Sequence, residues 1–207
     1  MRPMELRPRL LPAFLAVTTT VLLSSCHASP EERAVRDAFQ RFLEGLDRAD
    51  AAMLWSLADD ETHRFFDELA QETRDAVAEV DAHWPEADRV QARRAVGGDF
   101  VGPGTTGASL FAAFLDPRRL QAPQDPTARQ IDRVQMTGAR AMVVLKSGET
   151  LELVSDASGA WRTAIFLAAA RDLPALASLR ENVATVRANA AILSGSPTGQ
   201  ATAPKAP

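Results

Sequence analysis

The residues able to carry acid–base chemistry or to bind a metal are few in this chain. Three histidines occur, at positions 27, 63 and 83. His63 and Asp67 are four residues apart, a spacing that places both on one helix face, where they could pair. A metal site needs a further imidazole nearby, but His83 lies about 30 Å away along a helix rising 1.5 Å per residue. We expect His63 on a solvated face, His83-Trp84 closing the helix and packing against the core, and no metal site.

Asp99 is the carboxylate whose surroundings best suit a general base. It lies between Gly98 and Phe100 in a glycine-rich loop, 97–107, which could border the mouth of a pocket. A base there would need burial or a partner to raise its pKa. A turn after a helix end is the commoner role of Gly-Gly-Asp, and the sequence favours it. The loop lacks the Gly-Lys-Ser/Thr of a phosphate-binding loop.

Four aromatic residues could line such a pocket together with Asp99, although core packing is the commoner role of such side chains. They are Trp55, Phe111, Phe114 and Trp161. Tyrosine, a frequent oxyanion donor, is absent, and no serine stands in a Gly-x-Ser-x-Gly context. We therefore assign no catalytic residue and no cofactor, and a non-catalytic role is favoured.

Apolar residues recur at helical spacing through the first half of the chain. They predict helices over 30–46, 51–57, 60–84, 86–96 and 109–115. Ser29 is the expected cap of the first helix and Glu32 the partner that completes a capping box. Residues 116–127 contain three prolines and read as a connector.

The apolar period changes to two after this connector. Strands are predicted over 130–136, 139–146, 149–155 and 160–166, and their short connections imply an antiparallel meander. A helix over 173–193, capped by Asp172, follows with apolar residues at spacings of three and four. This apolar stripe comprises Leu176, Leu179, Val183, Val186, Ala190 and Leu193. Packing on its own domain is favoured, and docking to a partner or a second copy is the alternative.

Charge and cysteine content exclude several classes of protein. The formal net charge is -4 and no basic stripe is present, which argues against nucleic-acid binding. The single cysteine, Cys26, allows no intramolecular disulfide and no structural Cys/His zinc site.

The N-terminus has the form of an export signal. A positive segment, 1–9, precedes an apolar stretch, 10–23, that is short for a spanning helix of about 20 residues. The sequence Leu23-Ser24-Ser25-Cys26 resembles the lipobox of bacterial lipoproteins. The resemblance implies cleavage before Cys26, a diacylglyceryl group on its thiol and usually a further acyl chain on the new N-terminus. His27 follows in place of the Asp that retains enterobacterial lipoproteins at the inner membrane, which implies the outer membrane if this organism has two membranes.

The ordered domain resembles the nuclear transport factor 2-like superfamily, also called SnoaL-like. The likeness rests on the acidic turn Asp47-Arg48-Ala49-Asp50 and on the final strands, which end in Ser158-Gly159-Ala160-Trp161-Arg162. It covers about residues 30–166 and implies a curved sheet that wraps the helices into a cone-like pocket. The long helical stretch 60–115 and the last helix depart from that superfamily.

Together these features predict the organisation and role of the chain. We expect a signal peptide (1–25), a lipidated tether (26–29), one α+β domain (30–170) of helices on a four-stranded antiparallel meander, a C-terminal helix (171–193) and a disordered tail (194–207). The predicted role is a membrane-anchored envelope lipoprotein that binds a ligand or assembles with an envelope partner or a second copy. The alternatives are a small lyase or isomerase with Asp99 as base, and an adaptor that docks through helix 173–193.

Overall fold

The computed structural model describes residues 28–98, 100–115 and 125–195. Within them, seven helices and four strands form an α+β fold, as the sequence predicts. The predicted signal peptide, Cys26, His27, Asp99 and tail residues 196–207 lie outside the described residues, as does 116–124 of the connector. The elements are α1 (Pro30–Arg48), α2 (Ala51–Ser56), α3 (Asp60–His83), α4 (Glu86–Ala95), α5 (Gly107–Phe114), β1 (Ile131–Thr137), β2 (Arg140–Leu145), β3 (Thr150–Ser155), β4 (Trp161–Arg162), α6 (Ile165–Arg171) and α7 (Pro174–Gly195).

Side-chain caps set where the first helices begin. The Ser29 hydroxyl accepts the Glu32 N–H at 3.0 Å, and Asp50 and Asp59 cap α2 and α3 in the same way. The Glu32 carboxylate does not serve the predicted capping box, because it accepts from Arg36, one turn further on, at 2.6 Å.

An aromatic cluster joins five helices at the centre of the core. The Phe111 ring of α5 lies 5.2 Å from Trp55 of α2, 5.4 Å from Phe66 of α3 and 5.4 Å from Phe166 of α6. Phe166 in turn lies 5.9 Å from Phe42 of α1. Such ring pairs stabilise a core beyond simple area burial, so this cluster holds the helices around α3 in place.

The sheet is an antiparallel meander in the order β1-β2-β3-β4. Val143 of β2 pairs with Leu151 of β3, and Ala141 pairs with Leu153. All four side chains are buried, which confirms the period-two pattern, and α1 packs on this sheet.

The last strand is shorter than predicted. The sequence predicts a strand over 160–166, but β4 ends at Arg162 and α6 begins at Ile165. The chain leaves the sheet because the Thr163 N–H donates to the Leu57 carbonyl at 2.8 Å, beside α2. Buried Phe166 and Ala170 then lie one helical turn apart, in a stretch whose alanines favour a helix.

Helix α7 packs along α3 and runs in the same direction. Arg180 lies over the Phe65 ring at 5.2 Å, and Arg187 lies 3.4 Å from Asp75. The predicted apolar stripe is buried from Leu176 to Ala190, so the helix packs on its own domain. Two details of the prediction are wrong. Asp172 is the C-cap of α6 and not the cap of α7, and α7 continues through residues 194 and 195.

Candidate functional site

The aromatic residues predicted to line a pocket are packed against other side chains. Trp55 and Phe111 meet in the aromatic cluster, whereas Phe114 contacts Phe100 at 5.5 Å between ring centroids. Trp161 is buried in β4 and pairs with Ser155. None of these four residues lines the clefts described below, and the position of Asp99 lies outside the described residues.

His63 and Asp67 do not form the predicted pair. The His63 ring stacks on Trp55 at 4.2 Å, and its Nε2 lies 2.9 Å from the Trp55 carbonyl oxygen. The Asp67 carboxylate accepts the Gly107 N–H at 3.1 Å, at the first turn of α5. His63 is also half-buried and not on a solvated face, because α2 folds against it.

His83 ends α3 but does not pack against the core as predicted. Its Nε2 lies 3.3 Å from the Glu79 carboxylate one turn earlier, on the surface. Trp84, the other residue of the predicted pair, does pack against the core as a half-buried side chain. Pro85 is the N-cap residue of α4, the next helix.

A cleft of about 410 Å³ opens where α4 and the following loop fold back over α3. We call it the α3–α4 cleft. Its lining comprises Arg74, Val77, Ala78, Asp81, Arg93, Gly98, Val101, Gly102 and Pro103. The first four are spaced i, i+3, i+4 and i+7, so they form one stripe of α3. Small-molecule pockets are typically about 300–1,000 Å³, and this cleft falls within that range.

Two arginines and one aspartate form the polar part of the α3–α4 cleft. Arg74 donates to the carbonyl of Thr105 and to Gln71, which fixes its guanidinium against the loop. Arg93 of α4 reaches across to α3, where its Nε and Nη2 both lie 2.5 Å from Asp81 Oδ1. Among the lining residues that the structure describes, positive charges therefore exceed negative charges by one.

Glycines shape the loop that roofs this cleft. Gly97 has a φ of 80°, which favours glycine, and a Cβ there would lie 2.7 Å from the Phe100 ring. At Gly98 a Cβ would lie 2.7 Å from the Arg93 carbonyl oxygen, which closes α4. A Cβ at Gly102 meets no atom within 4 Å, so that position borders open space.

The α3–α4 cleft is not evident from the amino-acid sequence. The signal was present in α3, because Val77 and Ala78 lie beside the buried stripe of Ala76 and Val80 and widen its apolar face. Arg74 lies one turn before these two residues, and Asp81 lies one turn after them. What the sequence does not reveal is which elements leave that face partly uncovered.

A shallower groove runs between α4 and α7. Trp84, Asp88 and Asn189 are common to its two adjoining parts of about 330 and 310 Å³. The Asn182 side chain donates to the Ala95 carbonyl at 2.9 Å, at the end of α4, and Asn189 lines the groove with Asp88, near its start. The two helices are therefore antiparallel. Leu193, the last residue of the predicted stripe, is 41% exposed at one end of this groove.

In the part of the chain that the structure describes, no group of three His, Cys, Asp or Glu side chains is placed to hold a metal ion. Over those same ranges, no helix is both long enough and apolar enough to cross a membrane.

Comparisons with models of known protein families, with curated proteins and with solved structures found no match to this chain.

Proposed function

We propose that the chain is a lipid-anchored lipoprotein of the bacterial envelope, whose α+β domain binds a ligand or an envelope partner without catalysis. The observation that carries the proposal is the sequence Leu23-Ser24-Ser25-Cys26, which ends an apolar export signal and contains the only cysteine. The buried acyl chains of such a group give stable anchoring, at about 0.8 kcal/mol for each buried CH₂.

The short tether supports a location of the domain at the membrane surface. Ser29 is the N-cap of α1, so residues 27 and 28 alone lie between Cys26 and that cap. A fully extended chain spans at most about 3.6 Å per residue. The domain would therefore lie within roughly 10 Å of the lipidated residue. The outer membrane is the proposed location if the organism has two membranes, because His27 follows Cys26.

Replacing the lipidated residue tests the anchor. In the Cys26→Ala variant we expect an unprocessed precursor that an added alkyne-palmitate does not label, because no thiol is available for acylation. Processing is read from the mass of the chain and labelling from gel fluorescence. The matched control is Ser25→Ala, which keeps a small residue before the cysteine and should be processed and labelled normally. Normal processing and labelling of Cys26→Ala would refute the proposal.

The α3–α4 cleft is the place where we propose that the domain binds a ligand. It combines apolar walls with a few convergent polar groups, which is the usual composition of a small-molecule site. In the partner-binding form of the proposal, the partner contacts α7 instead, on the face of the helix opposite its buried stripe. Co-purification from detergent-solubilised envelopes tests that form.

The enzyme alternative is supported by the residues on either side of Asp99. Gly98 and Val101 line the α3–α4 cleft, so the loop that carries this carboxylate borders a ligand-sized space. A lyase or isomerase would lose turnover in Asp99→Asn while ligand binding persists. Binding by the wild-type chain without turnover of the bound compounds favours the non-catalytic proposal.

A further inference from the structure

We propose that the α3–α4 cleft takes a small soluble amphipathic carboxylate, with its apolar body on Val77 and Ala78 of α3 and its carboxylate at Arg74. This inference rests on the proposed binding function and adds the class of ligand. Three features support it: the apolar walls, the placement of Arg74 and the volume of the cleft.

The walls form an apolar strip with charge at its two ends. Val77 and Ala78 occupy the middle of the α3 stripe, and Val101, 7% exposed, closes the strip from the loop. Arg74 lies one turn before Val77, and Asp81 lies one turn after it. A ligand with an apolar body and one charged end matches this order of side chains.

Neighbouring groups hold the Arg74 guanidinium in one orientation. Arg74 is oriented by the Thr105 carbonyl, so little side-chain freedom remains to be lost when it binds an anion. Arg93 lies at the other end of the strip, where its Nε and Nη2 contact the Asp81 carboxylate, whereas the two acceptors of Arg74 are neutral. Arginine suits this role because its planar fork matches the geometry of a carboxylate.

The size of the cleft favours a small ligand over a bilayer lipid. Its volume of about 410 Å³ is near the lower limit for ligand pockets. The positive charge of Arg74, which is bonded to neutral acceptors, favours an anion over a neutral compound of the same shape.

The test compares 4-phenylbutanoate with 4-phenylbutanol, which share an apolar body and differ in the charge of the head. Binding to the full-length mature chain in phosphatidylcholine nanodiscs is measured by isothermal titration calorimetry, with empty nanodiscs as the blank. We expect the carboxylate to bind at least tenfold more tightly than the alcohol, since charge-assisted hydrogen bonds are roughly twice as strong as neutral ones.

Gly102 provides a variant that fills the cleft, and Gly104 provides its control. A Cβ at either position meets no atom within 4 Å, and neither glycine has a positive φ. Gly102 lines the cleft and Gly104 does not. We expect Gly102→Leu to weaken phenylbutanoate binding at least tenfold, with Gly104→Leu unchanged and both melting temperatures near that of the wild type.

The arginines are tested by loss of charge. Arg74→Gln should weaken phenylbutanoate binding about tenfold and leave phenylbutanol binding unchanged. Arg140→Gln is the control, because it also removes one positive charge but Arg140 lies on the sheet, outside the cleft lining. Arg93→Gln should weaken phenylbutanoate binding less than Arg74→Gln does, because Asp81 already pairs with Arg93.

Each contrary result has a distinct meaning. Equal affinity for the alcohol, with loss in Gly102→Leu, would overturn the ligand class and leave the proposed binding function intact. No binding of either compound, or binding unaffected by Gly102→Leu, would overturn the inference and leave the anchor to the Cys26→Ala test. Loss of phenylbutanoate binding when anionic phosphatidylglycerol is added to the nanodiscs would identify a lipid headgroup as the occupant and overturn the soluble ligand.

Discussion

At the scale of single residues, Asp156 organises the turn between β3 and β4. Its Oδ1 accepts the Ser158 hydroxyl at 2.6 Å and the Ala160 N–H at 3.0 Å, and its Oδ2 accepts Arg162 Nε at 3.0 Å. The hydrogen bond from Ser158, followed by that from Arg162, holds the pKa of Asp156 well below its usual range. The charged form is therefore the one that stabilises the fold.

We predict a pH-dependent effect of Asp156→Asn. A carboxyl whose folded pKa is depressed contributes its stability in full above its unfolded pKa of about 3.9, and loses it as the pH falls toward the folded pKa. The variant should melt below the wild type at pH 7, and the gap should narrow from about pH 4 downward. Thermal melts followed by circular dichroism at several pH values test this. A gap that stays constant from pH 7 to pH 2 would contradict the assigned role of the charge.

Residue-scale prediction from sequence succeeds where the partner is local. Ser29 caps α1 as expected, because the bond joins its side chain to an amide three residues ahead. It fails where the partner is remote. Asp67 binds the Gly107 N–H forty residues later in the chain, which removes it from the pairing with His63 that the spacing suggests.

At the scale of elements, α7 shows how far a periodic pattern determines packing. The spacing of its apolar residues predicts a one-sided helix, and Leu176, Leu179, Val183 and Val186 are each at most 5% exposed. The pattern alone leaves open whether the partner surface belongs to the same chain. The structure supplies it from α3, α4 and α6.

The stripe of α7 should contribute strongly to stability. We predict that Leu179→Ala, at a side chain 5% exposed, lowers the free energy of unfolding by about 2–5 kcal/mol, the usual cost of such a buried truncation. Leu193→Ala on the same helix is the control, since Leu193 is 41% exposed, and should change it by about 0.5 kcal/mol or less. Urea unfolding measures both. Equal effects of the two variants would show that the stripe is not what holds α7.

The junction of β4 and α6 shows what an alternating pattern cannot reveal. Trp161, Thr163 and Ile165 alternate as in a strand, yet the chain turns at Thr163. The decisive bonds are from the Thr163 N–H to the Leu57 carbonyl and from the Asp59 N–H to the Thr163 carbonyl. Because both partners lie about a hundred residues earlier in the chain, no local reading of this segment could predict them.

At the scale of the whole molecule, the α3–α4 cleft and the aromatic cluster involve different parts of α3. Phe66, in the first half of the helix, is fully buried in the cluster with α2, α5 and α6. The cleft uses residues 74–81, where α4 covers the helix with no fully buried residue of its own. The sequence predicts both helices and the loop that follows α4. The incomplete cover follows from the three-dimensional placement of α4 and the loop, which periodicity does not contain.

This difference in cover predicts a difference in local stability. Segments with few buried contacts open with less free energy than the core, so the α4 amides, 86–95, should exchange hydrogen much faster than those of 66–73 in α3. The buried stripe of α7, 176–190, is the internal control and should exchange as slowly as the α3 segment. Hydrogen exchange of the full chain, followed by mass spectrometry of its peptides, measures all three. Adding 4-phenylbutanoate should slow exchange in α4 and in the peptide that contains Gly102, because a ligand bound between them opposes opening. Equal protection of α4 and the α3 segment before the ligand is added would contradict the view of α4 as a weakly held wall of the cleft.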